Sequence, residues 1–209
     1  MNKQQMEKNM GFDLYGVKPK IKEGSVKPDR PDWNNCSDAE RDEYFDALSK
    51  FENENKGYYF RNNVWWWRPL AEYVLEHTKV ITTKKKIEGF SYNDGVAISE
   101  KEAEQIAKQL YYLLQTGHTE KYAEQYEEKR AIAEKHNAIV QKKLDALSLE
   151  AERRTGEKDL APSKYPKDLS KKWDEITNER EWVASYPFSV SNVKEFADFC
   201  KDSGGFTIN

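Results

Sequence analysis

Three consecutive tryptophans, Trp65 to Trp67, constrain the fold of this chain more than any other feature. They lie within the aromatic segment 57–73, with Arg61 before them and Arg68 after them. Successive residues of a helix turn by about 100°, so three adjacent indoles cannot all face one side. We expect Trp65 and Trp66 to be core residues. A tryptophan beside an arginine suits stacking on a planar ring and pairing with a phosphate or carboxylate. An arginine stacked on a core tryptophan is the alternative, and the sequence leaves both open.

The residues around this segment predict a binding site rather than a catalytic one. The sequence has no glycine-rich phosphate loop, no nucleophile elbow and no zinc-protease motif. The three histidines are scattered, and no His/Cys group has metal-ligand spacing. We therefore predict no catalytic residue, no metal and no cofactor, and we interpret His77 as an ordinary helix-face residue. The candidate ligand- or partner-binding residues are Arg61, Asn62, Trp67, Arg68, Tyr92, Asn93 and Asp94.

Composition narrows the class of protein. Among 209 residues, 13% are aromatic and 34% are charged, which is enough ring surface for a core beneath a highly charged exterior. The net charge of −3 does not favour nucleic acid as a partner. No apolar run approaches the roughly 18 residues of a membrane span, and the N-terminus lacks the apolar core of a signal peptide. Cys36 and Cys200 predict free thiols rather than a disulfide framework. These features predict a soluble, cytoplasmic protein without a membrane partner.

Local signals predict a compact, mainly helical core. Capping boxes at Ser37 and Ser99 predict helices that end near Asn55 and at Gly117. Pro69 fits the first turn of a further helix, and Asn62 or Asn63 is expected to cap that helix. Ser191 or Asn192 is expected to cap the last helix of the chain. Segment 79–98 predicts a hairpin or an irregular loop. Two strands, Phe12–Tyr15 and Phe206–Ile208, are expected to pair.

The segment from Thr119 to about Thr155 contains no helix breaker. Together with a second apolar stripe after Pro166, it predicts a long antiparallel helical hairpin, residues 119–185, inserted into a core domain of residues 1–118 and 186–209. The fold class is therefore α+β, mostly α: a helical core, a small sheet of terminal strands and the inserted hairpin. The hairpin is interpreted as a solvated arm, with partner binding or homo-oligomerisation as its functional alternatives. The two stripes are Tyr126, Ala133, Val140 and Leu147, and Leu169, Trp173, Ile176 and Val183.

Three motifs resemble a family of small uncharacterised proteins found in bacteria and in bacteriophage genomes. They are the segments 10–16 and 59–70, the latter containing Phe-Arg-Asn-Asn-Val-Trp-Trp-Trp-Arg-Pro-Leu, and the segment 199–206, Phe-Cys-Lys-Asp-Ser-Gly-Gly-Phe. The resemblance covers about residues 10–117 and 186–209, and the hairpin departs from it. It implies the setting of a phage or prophage accessory protein, and it carries over no catalytic residue.

Three functions follow as hypotheses. The first is a non-enzymatic accessory protein that inhibits a host defence by capturing a host protein or a small nucleotide-like ligand in the host cytoplasm. The second is an enzyme acting on a nucleotide or nucleic acid, with carboxylates and the Asn93–Asp94 turn at its site. The third is a structural phage component that self-assembles. The lack of a recognisable nucleophile or base favours the first.

Overall fold

The structure is a computed structural model that describes residues 11–93 and 95–209, and its elements confirm the predicted α+β, mostly helical class. The strands of these ranges are β1 (Gly11–Gly16), β2 (Tyr59–Asn63), β3 (Val96–Ile98) and β4 (Phe206–Ile208). The α-helices are α1 (Asp38–Glu54), α2 (Val64–Thr78), α3 (Lys84–Ser91), α4 (Glu100–Gln115), α5 (His118–Thr155), α6 (Lys167–Thr177) and α7 (Val190–Asp202). None of these helices is long and apolar enough to cross a membrane.

The four strands form one antiparallel sheet in the order β2–β1–β4–β3. Leu14 of β1 lies opposite Phe60 of β2 on one side and Ile208 of β4 on the other. The predicted pairing of the two terminal strands is therefore confirmed. Segment 79–98 is neither a hairpin nor an irregular loop, because it forms helix α3 followed by strand β3. The three lysines of the first turn are compatible with the helix because Lys84 and Lys85 are exposed and Lys86 pairs with Glu102 at 2.6 Å.

The turn between α7 and β4 explains the two glycines of the last motif. Gly204 and Gly205 have φ angles of 61° and 90°, a region that other residues rarely adopt. A Cβ atom on Gly204 would also lie 2.4 Å from the Lys18 carbonyl oxygen. The turn brings the chain directly into β4, where the Val17 N–H donates to the Gly205 carbonyl at 2.8 Å.

Side-chain caps determine where the helices begin. The capping boxes at Ser37 and Ser99 form as predicted, with Glu40 and Glu102 as the reciprocal acceptors. Asn63 caps α2 by accepting from the Trp65 and Trp66 N–H groups. Because the helix begins at Val64, the prediction of Pro69 in its first turn is wrong.

The predicted cap of the last helix also lay two or three residues too far along the chain. Ser189 caps α7, and its hydroxyl accepts from the Asn192 N–H at 3.3 Å. Asn192 is instead a buried side chain that bridges two elements, accepting from the Asn62 amide and donating to the Trp66 carbonyl. Its place in the interior explains why it does not act as the cap.

The chain divides into two compact units, one ending at Lys121 and resuming at Phe188, the other spanning Tyr122–Pro187. In the first unit α4 packs along α7, and aromatic side chains fill the space between these helices and the sheet. Phe60, Phe199 and Phe206 form successive ring contacts at 5.7 and 5.3 Å. This core packs against the sheet that contains both terminal strands, β1 and β4.

The second unit consists of most of α5 and a returning arm. Tyr126, Ala133 and Val140 are buried on α5, as their seven-residue spacing predicts, and Ala151 packs with Tyr165 and Leu169. The direction of return is antiparallel, because Arg154 pairs with Asp168 and Lys143 pairs with Glu179. The predicted second stripe does not lie on one helix: α6 ends at Thr177, and Val183 belongs to a 3-10 turn at Trp182–Ser185.

Candidate functional site

A groove lies between α2 and the end of α3, close to the aromatic segment, and we call it the α2–α3 groove. Its volume is about 730 Å³, within the range of ligand pockets. Ala71 and Phe90 form its floor, and charged and polar side chains form its walls. Its lining residues are Arg68, Ala71, Glu72, Leu75, Glu76, Phe90, Ser91 and Tyr92.

Trp67 holds the two walls of this groove together from the interior. Its ring is fully buried, stacked on Phe12 at 5.2 Å and on Phe90 at 5.8 Å. Its Nε1–H donates to the Phe90 carbonyl oxygen at 2.7 Å. Since Phe90 belongs to the last turn of α3, this bond joins the end of α3 to the first half of α2. Trp67 thus lies beneath the groove and offers no ring face to a ligand.

The expectation that Trp65 and Trp66 are the core pair is wrong. Trp66 is 37% exposed and Trp65 is half-buried, whereas Trp67 is 0% exposed. The reason is the position of the Asn63 cap, which sets the phase of α2. Once the helix begins at Val64, its inward face includes positions 67, 70, 71 and 74, all of which are buried.

The predicted site residues separate into two groups. Arg68 and Tyr92 both line the α2–α3 groove, and the ring of Tyr92 is 64% exposed. Asn93, also exposed, directly follows Tyr92 but is not a lining residue, and Asp94 lies outside the described residues. Arg61 and Asn62 lie elsewhere, on β2.

The two β2 residues have structural partners. Arg61 lies 3.5 Å from a carboxylate oxygen of Asp13, which also accepts a hydrogen bond from the Tyr59 hydroxyl. Burial and this hydrogen bond raise the pKa of Tyr59, so the phenol stays protonated and donates. The Asn62 amide donates to Asn192 at 2.9 Å. These contacts tie β2 to β1 and α7.

Two groove residues, Glu72 and Glu76, were missed by the sequence analysis although a signal for them exists. They follow Arg68 at intervals of four residues, so all three charges lie on one face of α2. Both glutamates are exposed, and the Glu76 carboxylate lies 3.8 Å from His77 Nε2. The groove wall therefore presents one positive and two negative side chains on successive turns.

A small histidine cluster lies at the C-terminal half of α2, around His77, for which no partner was predicted. The rings of His77 and His118 are 4.8 Å apart, and buried Tyr73 contacts both. The Tyr73 hydroxyl lies 3.1 Å from His118 Nδ1 and 3.0 Å from the Thr119 hydroxyl. Burial lowers the pKa of His77, and the Glu76 carboxylate opposes that effect.

This cluster is a hydrogen-bonded part of the core rather than a metal centre. Burial raises the pKa of Tyr73, which keeps its hydroxyl neutral. Within residues 11–93 and 95–209 no three His, Cys, Asp or Glu side chains are placed to hold a metal ion. The cluster joins α2 to the start of α5.

Comparison with known proteins adds no relative: no protein-family model matches the chain, and neither a curated protein nor a solved structure matches it.

Proposed function

We propose that this protein is a non-enzymatic binding module that captures a segment of another protein in the α2–α3 groove. The observation that carries the proposal is the pattern of one arginine and two glutamates on successive turns of α2, beside the exposed ring of Tyr92. Such a pattern recognises a segment with side chains of both signs. The groove volume of about 730 Å³ suits one or two of its side chains.

The charges favour a protein segment over a nucleotide in this groove. A phosphate bound by Arg68 would lie one helical turn from the Glu72 carboxylate, and like charges at such distances repel. A segment carrying a lysine or arginine would instead pair with Glu72 and Glu76. Its carboxylate or backbone carbonyl groups would accept from Arg68, which is suited to planar, bidentate contacts.

Tyr92 supplies the apolar contact that such an interface needs. Tyrosine and arginine are enriched among the residues that contribute most to protein–protein binding. The Tyr92 ring lines the groove together with half-buried Leu75, and an aliphatic or aromatic side chain of the partner would cover both. Since Trp67 already secures the floor, binding requires little rearrangement of the groove.

The biological setting belongs to the same proposal. The resemblance of the three sequence motifs to phage and bacterial proteins supports a phage or prophage accessory protein in the bacterial cytoplasm. A small protein that captures a host protein segment there could inhibit a host defence without catalysis. The partner is then a host protein with a basic segment that also carries an apolar side chain.

A displayed library of random peptides, selected on the intact protein, tests the proposal. We expect the selected peptides to be enriched in lysine or arginine together with an apolar residue. Replacing both acidic groove residues, Glu72→Gln with Glu76→Gln, should weaken a selected peptide at least about tenfold, and Tyr92→Ser should do the same. Glu43→Gln removes an exposed helical carboxylate elsewhere and should leave affinity unchanged.

Two results would overturn the proposal. One is a selection that yields no enriched basic peptide, or that yields acidic ones. The other is a selected peptide whose affinity is the same for the parent protein and for the groove variants, since its binding surface would then lie elsewhere.

A further inference from the structure

A second concavity lies in the first unit, formed by α4, the C-terminal end of α7 and the segment after β1. We call it the α4–α7 concavity. Its volume is about 530 Å³, and Ala107 and Tyr111 form apolar parts of its surface. Lys20, Lys108 and Lys201 stand around it, with Glu104 as an acidic neighbour. Three lysines and one glutamate make the lining of this concavity net positive. The α2–α3 groove, with one arginine and two glutamates, is net negative.

Two of these lysines have charges available for a ligand. Among the ion pairs of residues 11–93 and 95–209, none involves Lys108 or Lys201. Lys20 lies 3.5 Å from the Asp202 carboxylate and donates to the Lys201 carbonyl at 3.3 Å. The Asp202 charge is thus balanced by Lys20, and the concavity remains positive.

The tyrosines give the concavity a ring surface. Tyr112 is 61% exposed and lines the concavity, so one face of its ring is accessible. The Tyr111 hydroxyl donates to Asp198, which also pairs with Lys194 at 2.7 Å. That network holds Tyr111 in place and occupies the Asp198 carboxylate. Burial and the Asp198 contact raise the pKa of Tyr111, so its ring carries no charge that would repel an anion.

We propose that the α4–α7 concavity binds a nucleoside phosphate, with the base stacked on Tyr112 and the phosphate between Lys108 and Lys201. Stacking on an aromatic side chain contributes about 1–3 kcal/mol per base. Lysine ammonium groups bind phosphate as mobile point charges. The volume of about 530 Å³ suits a single nucleotide rather than a folded partner.

This inference is independent of the protein-binding groove, since the two surfaces share no lining residue. The ligand chemistry, a planar base joined to a phosphate, occurs both in a free nucleotide and at the end of a nucleic-acid strand. The volume of about 530 Å³, which suits one nucleotide, favours the free nucleotide. A strand would continue onto an exterior whose bulk charge is negative overall.

Isothermal titration calorimetry of the full chain with ADP tests the inference. We expect a Kd below about 1 mM, and weaker binding of adenosine, which lacks the phosphate, and of pyrophosphate, which lacks the base. Lys108→Gln combined with Lys201→Gln should weaken ADP binding at least about tenfold, and Tyr112→Ser should weaken it several-fold.

Matched controls are available among residues that do not line the concavity. Lys85→Gln removes an exposed helical lysine, and Tyr92→Ser removes an exposed tyrosine of the α2–α3 groove, so both should retain ADP binding. Circular dichroism of each variant checks that it is folded. The absence of a heat signal with ADP at millimolar concentration would overturn the inference. So would pyrophosphate or a single-stranded oligonucleotide binding more tightly than ADP, or ADP affinity unchanged in the lysine and Tyr112 variants.

Discussion

Replacing Trp67 by alanine should destabilise the protein far more than the same change one residue earlier, at Trp66. The two positions have the same residue type and adjacent places in α2, but Trp67 is 0% exposed and Trp66 is 37% exposed. Residue type and helix propensity are therefore the same in the two substitutions, and the difference in stability reports the difference in burial. It also tests the phase of α2, which the Asn63 cap sets.

The magnitude follows from the contacts of Trp67. Truncating a buried large aromatic side chain usually costs about 3–5 kcal/mol, because transfer energy is lost and a cavity remains. The ring contacts to Phe12, Phe90 and Phe196 leave little freedom for collapse into that cavity. The Phe90 carbonyl also loses its Nε1–H donor, and a buried acceptor deprived of its partner costs about 1–3 kcal/mol. We expect a total of about 4–8 kcal/mol for Trp67→Ala.

Urea unfolding followed by far-UV circular dichroism measures this difference. A domain of this kind has a total free energy of unfolding of about 5–15 kcal/mol, so Trp67→Ala removes a large share of it. If the alanine variant does not fold, the Trp67→Phe variant takes its place in the comparison. Trp67→Phe keeps a ring but loses the donor, and should cost about 2–3 kcal/mol. Trp66→Ala should cost less than about 1.5 kcal/mol. Equal losses at the two positions would refute the assignment of Trp67 as the core residue.

Three further predictions concern the cap, the insertion and pH. Asn63→Ala should lower stability by about 0.5–2 kcal/mol, because two N–H groups of α2 lose their acceptor, and an unchanged urea midpoint would contradict this. Replacing Tyr122–Pro187 by a short Gly/Ser linker should leave a core that unfolds cooperatively on heating, since Thr119 and Phe188 both contact Tyr73; a non-cooperative transition would show that the core needs the insertion. Burial lowers the pKa of His77, whose titratable neighbours are Glu76, Lys79 and His118. The contribution of neutral His77 to stability is therefore complete above about pH 6.5 and is lost as pH falls towards the lowered pKa. His77→Gln should therefore reduce the loss of stability between about pH 7 and 5, and an identical pH profile would contradict the assignment.

Local signals predicted those parts of the fold that depend on neighbouring residues. The Ser37 and Ser99 capping boxes need only a residue three positions away, and both form. The strand of Phe206–Ile208 was recognisable because its turn glycines stand directly before it. The pairing of the chain ends could be inferred because an isolated strand needs a partner, and the sequence offered few others.

The errors arose where two local signals competed. Pro69 and Asn63 each indicate a helix start, and the sequence alone does not rank them. Asn63 determines the start because it satisfies two N–H groups, while the proline is tolerated inside α2. Trp65 and Trp66 were expected in the core because of the density of aromatic residues around them. That signal carries no helical phase, so it did not single out Trp67. Segment 79–98 posed the same difficulty, since its Asn-Asp-Gly turn signal obscured the short helix α3.

The candidate site could be predicted only in part, because the predicted residues lie on both a strand and a helix, whose side chains repeat with different periods. Arg61 and Asn62 lie on a strand, where side chains alternate between faces, whereas Arg68 lies on a helix with a period of 3.6 residues. Residues that are close in sequence across Asn63 therefore reach different surfaces. Tyr92 joins Arg68 because a tertiary contact, the bond between Trp67 and Phe90, brings α3 alongside α2. No short-range pattern encodes that contact.

The same contact links the stability of the core to the shape of the α2–α3 groove. Trp67 directly precedes Arg68, and Phe90 stands two residues before Tyr92. The hydrogen bond from Trp67 to Phe90 therefore connects the backbone segments that carry Arg68 and Tyr92, one on each wall of the groove. Loosening it would let the end of α3 move relative to α2 and would separate Arg68 from Tyr92. A folded Trp67→Phe variant should therefore bind a groove peptide more weakly although it changes no groove side chain. The α4–α7 concavity, built on other elements, should keep its affinity for ADP in that variant.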